Sequence, residues 1–93
     1  MKLRYTRRAA AELEEILAYI EERSPAGARN VQARIKVITD LLLQHPKGGQ
    51  VTSNHRLRRM VTSPYPYLIF YEVTQDAIVI HGVRHAARRP SSE

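Results

Sequence analysis

The chain contains no cysteine, which excludes a disulfide scaffold and any thiolate-bound metal and fits a reducing compartment. It has no stretch near the roughly 20 consecutive apolar residues needed to cross a bilayer, and its opening Met1-Lys2-Leu3-Arg4-Tyr5 lacks the apolar run of a secretory signal. Both absences lead us to expect a cytosolic protein. Gly-rich phosphate loops, nucleophile elbows and zinc patterns are missing, and Gly48-Gly49 follow a helical pattern instead of opening one. Nucleotide hydrolysis is therefore not expected, and nothing calls for a cofactor. Internal repeats and low-complexity tracts are absent too. Acidic residues are scarce outside one segment: Glu12, Glu14, Glu15, Glu21 and Glu22 fall together, and between Arg23 and Tyr71 the only acid is Asp40.

What remains is basic. With 15 lysines and arginines against 9 acids, the formal charge is +6 and the pI about 10.2, a surface that draws in nucleic acid or an acidic protein partner. A length of 93 residues with 43% hydrophobic content bounds the chain to one domain, read here as residues 1–89, with a polar tail at 90–93 expected to fray. A core of that size leaves little stability in reserve if a groove must stay open, so a permanently bound partner would help.

The periodicity has two regimes. Lys2 to Tyr5 alternates, predicting a short strand with Leu3 and Tyr5 inward. Thr6 offers an N-cap, after which Ala9, Leu13, Ile16, Leu17 and Ile20 recur at helical spacing, with Arg8 four residues before Glu12. Ser24-Pro25 is a second start signal. Ala28, Val31, Ile35, Ile38 and Leu42 form the stripe of the next helix, Leu41 widens it, and His45-Pro46 with Gly48-Gly49 ends it. Beyond the polar loop Val51 to His55 the pattern turns β-like, over Arg56 to Val61, Tyr67 to Val73 and Ala77 to Val83. Ser63-Pro64-Tyr65-Pro66 and the short Thr74-Gln75-Asp76 separate these runs, so the last two strands should be antiparallel neighbours in a meander. Leu68 to Tyr71 and Ala77 to Ile80 are apolar on both faces, as for central strands covered by helices on one side and facing a working concavity on the other. The fold class is α+β, in the order β-α-α-β-β-β.

The residues that specify a family come next. Tyr5-Thr6-Arg7-Arg8-Ala9-Ala10-Ala11-Glu12-Leu13-Glu14-Glu15-Ile16, then Ser24-Pro25, then Leu41 through Pro46 with Gly48, and above all Pro66 to Val73 followed by Ile78 to Arg88, resemble the RelE/ParE toxin superfamily. The closing hairpin is most similar to that of ParE-type toxins. The likeness runs from about Tyr5 to Arg88. It implies a helical hairpin packed on a small antiparallel sheet, and a toxin wrapped by the C-terminal segment of a cognate, ParD-like antitoxin that binds operator DNA. ParE-like members are associated with poisoning DNA gyrase, RelE-like members with cutting messenger RNA on the ribosome.

Chemistry divides the two branches. A metal-free ribonuclease needs a group to activate the 2′-hydroxyl, another to protonate the leaving oxygen, and cations for the phosphorane. RelE-like ribonucleases usually carry an arginine where this chain has Leu68, and often a tyrosine beyond the final arginine, where it has only Pro90-Ser91-Ser92-Glu93. The resemblance and these departures place gyrase inhibition first, RNA cleavage second and a non-toxic binding module third.

Arg58, Arg59, Arg84, His85 and Arg88 are the candidate target-binding residues, with Arg56 among the basic groups near them. Ordinary solvation also fits arginines on a small domain, and it is the reading taken for Arg23, Arg29 and Arg34. His45 suits a helix end, where it complements the dipole, and His55 a loop. His81 fits a sheet-face or core histidine, with no carboxylate at ligand spacing. Tyr65, Tyr67, Phe70 and Tyr71 fit core and sheet packing at least as well as base stacking. Most of Leu13, Ile16, Leu17, Val31, Ile35, Ile38 and Leu42 is assigned to the core, leaving Ala10, Tyr19 and Leu41 as candidate antitoxin contacts.

Overall fold

Thr6 ends the first strand and starts the first helix. In the computed structural model, which describes residues 1–87, its hydroxyl accepts a hydrogen bond from the Ala9 amide at 3.0 Å. One orphan donor of helix α1 (Arg7–Arg23) is thereby satisfied. Ser24 serves both helices of the hairpin. Its amide closes α1 on Ile20 O at 2.7 Å, while its hydroxyl accepts from Gly27 N at 3.0 Å and opens α2 (Pro25–Gln44).

The strands are β1 (Lys2–Tyr5), β2 (Gln50–Val51), β3 (Arg58–Val61), β4 (Tyr67–Val73) and β5 (Ala77–His85). They form one sheet in the order β1-β5-β4-β3-β2. The expected meander is present in β3, β4 and β5, which pair antiparallel. The sheet as a whole is mixed, because β1 joins β5 in parallel, Leu3 opposite Ile78 and Tyr5 opposite Ile80. Two helices between β1 and the remaining strands carry the chain across the sheet, and parallel neighbours need such a crossover. A two-residue strand, β2, emerges from the segment read as loop.

The helices cover one face. Val31, Ile35, Ile38 and Leu42 of α2 meet Ile69 and Tyr71 of β4 and Ile78, Ile80 and Val83 of β5, all buried. Ala9 is fully buried, its single methyl group suiting the close packing of α1 on the sheet. Leu13, Ile16 and Leu17 are half-buried against this cluster. Leu3 does point inward, but on an edge strand Tyr5 keeps 36% of its surface exposed.

Ile80 and Val83 are three residues apart and both buried, which strict alternation forbids. The register explains it: Tyr71 pairs Ile80 while Phe70 pairs Gly82, leaving His81 as an extra residue in β5. This bulge resets the alternation and carries β5 on to His85, two residues past the expected end.

Candidate functional site

Alternation puts Phe70 and Glu72 of β4, and His81 and Arg84 of β5, on the face away from the helices. The β2–β3 loop walls that face on one side and the start of α1 closes the other. An open cleft of about 570 Å³ results, lined by Thr6, Arg8, Thr52, Ser53, Asn54, Arg56, Leu57, Phe70, Glu72, His81, Gly82 and Arg84. The volume lies within the range of small-ligand or side-chain sites.

The loop wall is braced by its own hydrogen bonds. The single Thr52 hydroxyl proton is shared between Asn54 O at 3.0 Å and Leu57 O at 3.1 Å, and the Arg56 amide donates to Asn54 Oδ1 at 3.0 Å. On the floor, His81 Nε2 lies 2.9 Å from Glu72 Oε1. An ionised carboxylate only accepts, so this contact keeps a proton on Nε2. The Arg84 guanidinium stands 5.5 Å from the Phe70 ring centroid, within cation–π range. Three guanidinium groups, from Arg8, Arg56 and Arg84, line the cleft with the Glu72 carboxylate, which His81 engages, while Glu12 pairs with Arg8 and Arg84 from α1; the arginines still outnumber the carboxylates, and the cleft favours an anionic group.

The candidate target-binding residues do not all converge here. Arg84 lines the cleft. Arg59 is exposed on the same sheet face but is drawn to Gln50 Oε1, with two contacts of 3.3 Å. Arg58 and His85 point to the helix side. Arg58 donates to Gly49 O at 2.9 Å and Lys47 O at 3.4 Å, bracing the turn after α2. His85 packs edge-on against Tyr67, with centroids 5.4 Å apart and planes at 87°, and its Nδ1 accepts from Ala87 N at 3.1 Å. Arg88 and the tail expected to fray lie outside the described residues.

Several residues of the cleft escaped the sequence reading. His81 was read as a sheet-face or core histidine, yet its carboxylate partner is Glu72, nine positions away in the chain. Glu72 pairs Val79, so His81 is its diagonal neighbour, within reach of a long side chain. Counting back from the Thr74-Gln75-Asp76 turn would have found the pair. Arg8 had been noted only as a helix partner of Glu12. Among the described residues no group of three or more histidines or carboxylates could hold a metal ion, and no helix is long and apolar enough to cross a membrane.

On the helical side, Ala10, Tyr19 and Leu41 are all exposed, but they do not form one patch. Ala10 and Tyr19 are nine residues apart, which places them on opposite sides of α1. The Tyr19 ring is covered by the Arg23 guanidinium at 3.7 Å. Leu41 continues an exposed row on α2 with Ala33 and Val37 at four-residue spacing; Val37 and Leu41 are 45% and 44% exposed. Beside this helix a second groove of about 480 Å³ is bounded by Leu3, Tyr5, Leu13, Ala33, Lys36 and Thr39, among others. Desolvation raises the pKa of the Tyr5 phenol at its wall.

The model of the family described as ParE toxin of type II toxin-antitoxin system, parDE, matches residues 3–90. The Sinorhizobium fredii toxin-named protein Y4kP is 36% identical over 85 residues, covering 91% of this chain and 88% of that protein. Toxin RelE2 of Caulobacter vibrioides is 38% identical over 84 residues, covering 90% and 93%. Among solved structures, the chromosomal ParDE TA system from P. aeruginosa aligns with a TM-score of 0.79 at 22% identity, over 91% of this chain and 95% of that one, a likeness of fold.

Proposed function

The chain belongs to the ParE toxin family of type II toxin-antitoxin systems, and from that membership we propose that it inhibits DNA gyrase through the basic cleft, without catalysing a reaction itself, and is neutralised by a ParD-like antitoxin. The observation that carries the choice of target is Leu68. It lies directly opposite Arg84 in the β4–β5 register, on the open face, where RelE-like ribonucleases usually carry an arginine. A leucine there offers no charge to a phosphorane. The cleft's guanidinium groups suit an acidic or phosphate-bearing surface of the target instead.

For the antitoxin, the exposed apolar row Ala33, Val37 and Leu41 and the adjoining groove fit the apolar face of an amphipathic helix, which anchors at three- and four-residue spacing. Leu41 is retained from the contacts expected from sequence, whereas Ala10 and Tyr19, on opposite sides of α1, stand outside this row.

A second reading, RNA cleavage, draws on a specific feature, the His81–Glu72 pair set among arginines, and on the name of the Caulobacter relative. One experiment separates the two. Purified toxin is added to gyrase in a supercoiling assay and, in parallel, to a translating ribosome system with a reporter message. Loss of supercoiling with the message intact supports gyrase inhibition; full supercoiling activity with a cleaved message transfers the function to the ribonuclease branch.

A further inference from the structure

Strand β1 stops at Tyr5, and Thr6 N makes the last backbone contact with β5, on Ile80 O at 3.0 Å. Among the described residues no strand lies beside the edge of β5 past that point. The next donor, Val83 N, is taken by a side chain from α1: Glu12 Oε1 accepts from it at 3.0 Å. The other carboxylate oxygen, Oε2, lies 3.3 Å from Arg8 Nε and 3.9 Å from Arg84 Nε. The first distance is a hydrogen bond, the second an ion pair without one. Glycine at position 82 makes room for this approach, because a Cβ there would stand 3.2 Å from Glu12 Oε1, close enough to press on the carboxylate.

From this geometry we infer that Glu12 is the positioning residue of the cleft: one oxygen fixes α1 to the backbone of β5, and the other holds Arg8 and Arg84 side by side as a receptor for one anionic group, carboxylate or phosphate, of the target. The inference rests on the cleft being the target-binding surface. Two like charges drawn together repel, and a shared carboxylate behind them offsets that repulsion. Arginine side chains also lose rotamer freedom when they bind, and one already held loses less. Glu12 is half-buried and Arg84 is one-third exposed, so the effect is a matter of geometry more than of bulk electrostatics.

The test uses the full chain. In the wild type, the Arg84 Nε–H group should be more ordered than that of exposed Arg29, read by its heteronuclear NOE; equal mobility overturns the assignment without any variant. Glu12→Gln keeps an oxygen for Val83 N and removes the charge. Its melting temperature should stay near that of the wild type while the Arg84 and Arg8 Nε–H signals shift, and the concentration for half-inhibition of gyrase should rise about fivefold. In an Arg84→Ala background the same change should add little. An equal loss in both backgrounds, or unmoved arginine signals, overturns the inference. If the wild type leaves gyrase active, the target reading fails by itself, and the cycle is read on growth inhibition with the arginine signals still deciding the role of Glu12.

Discussion

The hydroxyl of Tyr71 and the amide of Gly49 lie 2.8 Å apart, the amide donating, and the same hydroxyl donates to Pro46 O at 2.8 Å. Tyr71 is fully buried in the middle of β4, so one core side chain fastens the turn that leads from α2 back into the sheet. The approach is so close that a Cβ at Gly49 would fall 2.7 Å from both the Tyr71 hydroxyl and Arg59 O.

Tyr71→Phe should therefore leave two backbone groups without a partner and lower stability by about 1–3 kcal/mol, which corresponds to roughly 4–8 °C in Tm per kcal/mol for a domain of this size. Gly49→Ala should be at least as damaging, since both neighbours it meets are held in place. Thermal unfolding followed by circular dichroism checks both, and a Tyr71→Phe variant that melts like the wild type would remove the turn's anchor from the account.

The arginines should sort by face. Arg84→Ala should abolish most gyrase inhibition with little change in Tm. Arg58→Ala should instead lower stability by about 1–3 kcal/mol, because its charge-assisted bonds to Gly49 O and Lys47 O brace the turn. A supercoiling assay and a melting curve on the two variants suffice; swapped phenotypes would mean that the cleft is not the working face.

Ser24→Ala removes one cap from α2 and should cost about 1 kcal/mol, with Ser24→Gly costing less. Urea titration at constant slope measures this. A neutral alanine variant would show that the hairpin is held by packing alone.

Leu41→Glu and Val37→Glu should weaken antitoxin binding by about tenfold or more, since a desolvated charge at an apolar contact costs over 1 kcal/mol, while leaving Tm and gyrase inhibition unchanged. Calorimetry with the cognate antitoxin reads the affinity. Unchanged binding by both variants would move the contact off this row of α2.

Much of this was legible from the chain because short-range chemistry decided it. Thr6, Ser24-Pro25 and His45-Pro46 mark helix ends through local caps, and the stripe Val31, Ile35, Ile38 and Leu42 needs only helical periodicity. The same holds for the β4–β5 hairpin around Thr74-Gln75-Asp76. What stayed hidden depends on neighbours distant in sequence. The parallel seat of β1 beside β5 leaves no local trace, and the bulge at His81, which sends Val83 inward, is not announced by its own residues. Glu12 read as one acid among five and as the helical partner of Arg8, although it also spans 71 positions to hold Val83 N. Arg58 and Arg59 are adjacent in the chain, so alternation had to divide them between faces; position within a basic stretch could not reveal that only one looks toward the cleft side.

The pairing of Lys2 with Ala77 and of Tyr5 with Ile80 also sets a schedule. Chains emerge from the ribosome N-terminus first, and β1 has no strand to lie against until β5 has been synthesised. The Arg8 and Arg84 walls of the cleft are likewise far apart in the chain, at positions 8 and 84. A chain stalled before the final hairpin thus lacks both the seat of β1 and the Arg84 wall of the cleft.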